Sequence, residues 1–548
     1  MDLYFVMAVV YDYIVIGSGF GGSVSALRLA EKGYTVMVLE QGKRYHHTDF
    51  PKTNMNLFKY LWMPFLGMHG IQRLTFFRKA SILTGVGVGG GSLVYAGTLF
   101  EPPDEFYQKN AWARFGDWKS RLKPFYKVAA SMLGRTTYQR PHIEDDLLFR
   151  TAREFQREHT FKTVDVGVYL GDPDGETDPY FNGLGPLRKV CIECAGCMVG
   201  CRENAKNSLD KNYLYFAEKY GAVIRPETQV DRIFFENDLY RVEARTSTAW
   251  FKTRRKIFFA RGLIVSAGTL GTLKLLLKQK YQYQTLPGLS DCLGTEVRTN
   301  SETLCAVSMA NDKLNNGLAI TSVFNPDETT HIEVVKYPDG SNAMKSFFGL
   351  AVRETRIQRM RPLKLLWYTM THPKRIVKLL FNFKWSSNLV IFLVMQTYDN
   401  AMKLVLKKSW MGRRMKILNS SHKPVPAYID IGQRVMEQHA KLAGGVAQNI
   451  LLEVLFNRPT TAHILGGCPM GESAETGVID PDFRVFGYPR FHIIDGSVLQ
   501  GNPGVNPSLT ITALAEYAVS RIPEKPGNVN VKPMDQPNCR EPEKVEEQ

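Results

Sequence analysis

The chain has 548 residues, 44% hydrophobic and 22% charged, which is the make-up of an ordinary globular protein with ample material for a core. The length implies more than one domain, or one domain with large insertions. Its net charge of +16 points to nucleic acid, an anionic membrane or an acidic partner, while no apolar run reaches the ~18 residues of a transmembrane helix.

The opening, "MDLYFVMAVVYDYIVIGSGFGG", has no basic leader region and no small-residue cleavage site, and runs directly into a core strand. This predicts an intracellular, cytoplasmic protein whose eight cysteines are thiols or metal ligands rather than a disulfide framework. The run Tyr13 to Ile16 predicts a buried parallel strand. A glycine turn follows, then a helix carrying Val24, Leu27 and Leu29 and ending at Gly33, then a strand from Thr35 to Leu39. Gly17, Gly19 and Gly22 fit G-x-G-x-x-G in this βαβ unit. In such a motif the first glycine permits the tight turn, the second lets a pyrophosphate approach the backbone, and the third lets helix and strand pack closely. Glu40 ends the second strand, where a carboxylate can accept ribose hydroxyls. No second fingerprint for a nicotinamide nucleotide is found, so the one dinucleotide must itself be redox-active, which favours FAD.

A second glycine cluster, "TGVGVGGGSLVYAGTLF", precedes four cysteines, Cys191, Cys194, Cys197 and Cys201, in "CIECAGCMVGC". Their C-x2-C-x2-C-x3-C spacing equals that of a bacterial ferredoxin run, with Gly196 and Gly200 to flex the loop. Arg202 stands where that run has proline, and no second run exists. Two readings stay open: an iron–sulfur cluster or other metal at these four residues, or structural and redox-active thiols. A helix from about 209 to 220 and a β-meander returning to a buried strand, Gly262 to Ser266, come next.

The middle, about 300 to 450, has no βαβ rhythm. Residues 344–416 hold sixteen Lys or Arg against two acidic residues, interleaved with apolar groups as in "LKLLWYTM" and "RIVKLLFNFKW". No nucleic-acid motif accompanies this charge. The readings are peripheral attachment to an anionic membrane or a solvated basic face. The glycine-rich pattern resumes in "TAHILGGCPMG" and "DGSVLQGNPGVNPSLTITALAE". His463 in the first can take a proton from an alcohol, and Asn506 in the second can donate a hydrogen bond to the alcohol oxygen or a flavin edge.

Taken together, these stretches resemble the glucose–methanol–choline (GMC) oxidoreductases, within them the cholesterol oxidase branch. The resemblance runs from about residue 10 to 522. It implies an α/β fold: a Rossmann-type FAD-binding domain built from discontinuous segments (8–100, 186–295 and 456–522), a cap segment (101–185) and an inserted substrate-binding domain of sheet and helices (296–455); beyond it, the Pro-, Glu-, Lys- and Asn-rich composition of 523–548 predicts a disordered tail. It also implies roles. His463 matches the active-site histidine and Asn506 its partner. Gly89, Gly90, Gly91 and Ser92 match the loop under the isoalloxazine ring. Val230 matches a backbone contact to adenine, and Asp495 with Gly496 the turn over the pyrophosphate. Tyr95 departs from an asparagine common in sterol oxidases, and Glu333 is the nearest candidate for their isomerisation glutamate. The implied activity is oxidation of a sterol 3β-hydroxyl, with oxygen or another group accepting electrons. A GMC dehydrogenase for another apolar alcohol and a non-catalytic flavin-stabilised membrane-surface protein are the alternatives.

Overall fold

A computed structural model describes residues 9–108, 110–173, 175–249, 255–309, 313–353, 360–409, 412–419 and 424–528. Strand β1 (Val10–Ile16) leads through the glycine turn into α1 (Phe20–Glu31) and β2 (Val36–Leu39). Tyr13–Ile16 and Val36–Leu39 are buried throughout. That is why they read as unbroken apolar runs: strands covered on both faces need no polar alternation. β3 (Val223–Arg225) extends the sheet beside β2. β4 (Thr228–Glu236), β5 (Leu239–Thr246) and β6 (Lys256–Val265) then form the expected meander. It brings β6 back parallel to β1. The order is β3-β2-β1-β6-β5-β4, with Phe491–Ile493 also parallel to β6. Helix α2 (Gly268–Lys278) leaves the end of β6. Turns at the carboxyl ends of β1 and β6 therefore face one crevice, where open α/β sheets bind ligands.

The middle of the chain forms an antiparallel sheet from β7 (Thr303–Ser308), β8 (Ile320–Phe324), β9 (Thr330–Val335), β10 (Phe348–Leu350), β11 (Leu389–Gln396) and β14 (Val446–Ile450). Its order is β10-β14-β7-β11-β9-β8, closed by Lys162–Thr163. Two helices, α3 (Arg361–Thr371) and α4 (Pro373–Leu380), and a hairpin, β12 (Met402–Ser409) and β13 (Gly412–Asn419), branch from it. Both faces of the sheet are apolar. Cys305, Val307, Phe392 and Val394 pack against Val435 and Met436 of the helix Asp430–Leu442. Their alternates Leu304, Ile391 and Leu393 line a cavity on the other face.

α5 (Ser508–Ser520) packs on α1. Glu516 accepts from Arg28 Nε at 2.8 Å and Nη2 at 2.9 Å, and from the buried Tyr213 hydroxyl at 2.7 Å. The tail departs from expectation at its start. Residues 523–528 are held on α1 and β1: the Lys525 N–H donates to the Lys32 carbonyl, and its ammonium to Asp12 at 2.6 Å. Residues 529–548 lie outside the described residues.

The basic middle is not one face. Arg361 is buried in an ion pair with Glu453. Lys407, Lys408, Arg413 and Arg414 are on the hairpin, away from α3 and α4 in the chain.

Candidate functional site

The cavity, of about 680 Å³, lies between the two sheets. A smaller continuation runs past Glu40, Val230 and α2, sharing Gly19, Gly91 and Gly268 with it. Sterics explain the glycines. A Cβ on Gly17 would fall 2.3 Å from the Ser266 carbonyl oxygen, and one on Gly22 2.0 Å from the Gly17 carbonyl oxygen. Gly17 also sits at φ +98°, where a side chain is strained. Around Gly19, by contrast, nothing lies within 4 Å of a Cβ position. Its backbone is open to the cavity, and the N-terminus of α1, capped by no side chain, faces the same way. Bare backbone and free N–H groups at a helix start suit a pyrophosphate.

Glu40 is buried and already bonded. One carboxylate oxygen accepts the Ser18 N–H (3.1 Å) and hydroxyl (2.8 Å), and the other accepts the Gly42 N–H (2.7 Å). Ser18 in turn accepts the Gly89 N–H at 3.2 Å, tying the first glycine turn to the second. Gly90 rests directly on Gly19: a Cβ there would lie 2.6 Å from the Gly19 Cα. Gly91 lines the cavity. Ser92 is buried, its hydroxyl donating to the Gly89 carbonyl and accepting the Leu209 N–H, so it shapes the loop from behind. Asp495 caps the turn at Ser497 and accepts the Thr272 hydroxyl of α2 at 2.5 Å, while Gly496 lines the cavity. Tyr95 also lines it, and its buried hydroxyl has no partner among the described residues.

The four cysteines depart from the metal reading. They border one narrow cleft, yet among the described residues no three His, Cys, Asp or Glu side chains form a group that could hold a metal ion. Burial pushes the Cys197 thiol up to about 11 and Cys191 further, the reverse of what thiolate ligands require. The segment has a different use. Lys206, just beyond it, is buried, and its ammonium donates to the carbonyls of Leu93 (3.0 Å), Tyr95 (3.1 Å) and Cys197. One cation thus clamps the second glycine loop to the cysteine segment. Burial lowers its pKa to about 8. Met198 of the segment reaches the cavity wall.

At the far end stand His463 and Asn506. His463 Nδ1 lies 2.6 Å from Glu302 Oε2, and the Ala462 N–H donates to Glu302 Oε1. Burial alone would lower the His463 pKa; the Glu302 charge and hydrogen bond, with Glu333 behind, hold it above the ordinary histidine value. The Asn506 amide donates to Glu333 at 3.4 Å, and its buried Oδ1 has no partner among the described residues. Glu333 is fully buried and also bonds His331 Nε2 at 3.2 Å. A partnerless amide oxygen at the wall of an open cavity is an unmade bond that a ligand can complete. The residues present therefore fit a dinucleotide with a polar ring edge. Sequence reasoning missed Glu302, Ser18 and Lys206. No spacing rule marks a buried acid or lysine whose partners come from elsewhere in the chain.

Family models described as GMC oxidoreductase match residues 188–279 and 415–515, and one described as FAD binding domain matches 12–63. The chain is 42% identical to a cholesterol oxidase of Acinetobacter baumannii over 94% of its length and 95% of that protein. A cholesterol oxidase of Mycobacterium tuberculosis is 43% identical over 94% and 91%. A long-chain-alcohol oxidase of Arabidopsis thaliana is 24% identical over 93% of this chain and 67% of its own. Among solved structures, a pyridoxine 4-oxidase from Mesorbium loti superposes with a TM-score of 0.60 at 12% identity, covering 93% of this chain and 99% of that one, which shows a shared fold.

Replacing Lys206 by Met should remove all three bonds of the clamp. The expected loss is ~3 kcal/mol of stability, since charged hydrogen bonds contribute ~1.5–3 kcal/mol each and relaxation recovers part. FAD should be retained less well through gel filtration. Unchanged melting and full flavin retention would show that the clamp is dispensable.

Proposed function

The chain belongs to the GMC oxidoreductase family, and from that membership we propose that it oxidises the 3β-hydroxyl of cholesterol or a related sterol. It is an FAD-dependent alcohol oxidoreductase. The observation that carries the substrate reading is the cavity wall: Leu304, Ile320, Val335, Ile391 and Leu393 present a broad apolar surface, with His463 and Asn506 at its polar end. A large apolar alcohol can bury its body there and leave its hydroxyl beside the histidine. FAD, when bound, accepts the hydride from the carbinol carbon and passes electrons to oxygen or another acceptor. Gly17, Gly19, Glu40, Val230, Asp495 and Gly496, around the cavity and its continuation, would hold its ADP portion, and Gly90 and Gly91 the ring. His463 takes the hydroxyl proton as the carbinol becomes a carbonyl. Asn506 holds the oxygen or the flavin edge. Glu333, hydrogen-bonded to Asn506, would move a proton within the ketone product and so shift its double bond.

A membrane-surface reading has its own support. α3 exposes Leu363, Leu366, Trp367 and Met370, and α4 with its following turn exposes Val377, Leu380, Phe381 and Phe383. Lys364, Lys374, Arg375 and Lys378 lie among them. Apolar side chains flanked by cations suit the interface of an anionic bilayer, from which a sterol must be taken. No helix among the described residues is long and apolar enough to cross a membrane. The seven described cysteines are all free thiols, in keeping with a reducing, cytoplasmic setting.

His463→Ala should keep its FAD but reduce it with sterol ~10²–10⁴-fold more slowly in anaerobic stopped flow. Wild-type rates would remove the histidine from the chemistry. If long-chain alcohols bleach the flavin and sterols do not, the substrate assignment moves to the former. Glu333→Gln should still oxidise sterol but release the unconjugated ketone, seen as loss of the conjugated enone's ultraviolet band. A conjugated product from this variant would clear Glu333 of that role. Sedimentation with anionic vesicles should deplete the protein from solution, less so at high salt, because charge is screened over ~8 Å at physiological ionic strength. Trp367→Ala with Phe383→Ala should weaken it further; equal binding by this variant would place the contact elsewhere.

A further inference from the structure

The alcohol chemistry requires one ring nitrogen of His463 to be bare and aimed at the substrate, and the histidine cannot arrange that by itself. We propose that Glu302 is a positioning residue: its carboxylate fixes His463 in the tautomer that leaves Nε2 open to the substrate hydroxyl. The inference rests on the oxidation reading above for its catalytic consequence, but not for its geometry.

An ionised carboxylate only accepts hydrogen bonds, so at 2.6 Å from Glu302 Oε2 the proton belongs on Nδ1. That leaves the Nε2 lone pair free, and no protein group among the described residues bonds it. When the substrate O–H breaks, its proton forms the Nε2–H bond, the hydride leaves the carbinol carbon for the cofactor, and a C=O bond forms. The resulting imidazolium is a cation beside the buried anion of Glu302, which favours the transfer.

The backbone around Glu302 is built for this contact. Asn300 (φ 59°) and Ser301 (φ 46°) are consecutive non-glycine residues in the left-handed region, a conformation that persists only when its surroundings enforce it. They are enforced. The Asn300 N–H donates to Asn502 Oδ1 at 2.9 Å, its side-chain amide to the Val505 carbonyl at 3.0 Å, and its Oδ1 accepts the Gly504 N–H at 2.8 Å. The Ser301 hydroxyl accepts from Asn400 at 3.0 Å. The two strained residues turn the chain so that Glu302 faces inward, 1% exposed. The histidine side is held equally: Arg298 and Leu465 exchange both backbone bonds, at 2.7 and 2.9 Å, and the His463 N–H donates to Thr461 Oγ1. The Asn300 lock runs to 502–505, beside Asn506, and Asn400, which bonds Ser301, accepts from Asn502 at 3.1 Å, so one network sets both polar groups of the site. Glu302 and, more distantly, Glu333 are the carboxylates acting on the ring.

The test uses the flavin-loaded enzyme. With ¹⁵N-labelled histidine, the resonance missing from His463→Asn identifies His463, and its shifts report the tautomer without substrate. A proton on Nδ1 is expected; a proton on Nε2 at neutral charge overturns the proposal, whether or not the Glu302 variants fold. Glu302→Gln should retain FAD, slow anaerobic flavin reduction ~10–100-fold, and leave substrate half-saturation within about threefold. The pH above which reduction is fast should move to lower pH, because the anion that raises the His463 pKa is gone. Glu302→Asp, which keeps the charge, should recover part of the rate and the wild-type limb. A Gln variant with the wild-type rate and pH limb also overturns the assignment. If the tautomer is as expected but no alcohol reduces the flavin, the oxidation reading falls and the positioning role stands.

Discussion

Gly90 lies against Gly19 with no side chain between them, and the whole cavity is organised around that contact of two bare backbones. A Cβ on Gly90 would drive the loops apart and break what is threaded through them. Ser18 links Glu40 at the end of β2 to Gly89 in the second loop. Ser92 links the same loop to Leu209. Lys206 ties the loop's exit, Leu93 and Tyr95, to the cysteine segment. The floor of the site is thus a stack of main chain held by a few buried polar side chains. Such networks are rigid when fully satisfied, because each unpaired member would be costly.

The cysteines take their meaning from this stack. In a small electron carrier the same spacing wraps a metal. Here the segment is braced from outside, with Arg202 donating to the carbonyls of Thr48 and Phe50, and the Phe50 ring filling the space against Gly200. Burial pushes the Cys191 and Cys197 thiols up, and Cys197 packs into the core as a small apolar group with Cys191 and Cys201 against it.

The second sheet serves a different physical purpose. Its strands are apolar on both faces because one covers a helix and the other covers a substrate. Glu333 of the sheet, Glu302 just before it and Asn506 ahead of α5 gather near His463. Burying two carboxylates close to one imidazole is tolerable because each is hydrogen-bonded and the imidazole can carry the compensating charge.

Much of this was legible from local pattern. The βαβ unit, its glycine spacing and the meander follow from periodicity and steric rules acting over a few residues, and β1, β2 and β6 appear where those rules put them. His463 and Asn506 stand out because glycine-rich turns surround them. What sequence could not supply is anything that depends on segments far apart in the chain. Glu302 meets His463 across 161 residues, and Lys206 reaches Leu93 across 113. The cysteine spacing suits a cluster, but only the folded loop decides whether the thiols converge on one point, and among the described residues they form no group that could hold a metal ion. The basic middle counts as one block in sequence, yet folding sends Arg361 into the interior, part of the charge to a hairpin and part to the apolar helices. Local sterics are written in neighbouring residues; partners, burial and the sign of a pKa shift are properties of the assembled surroundings.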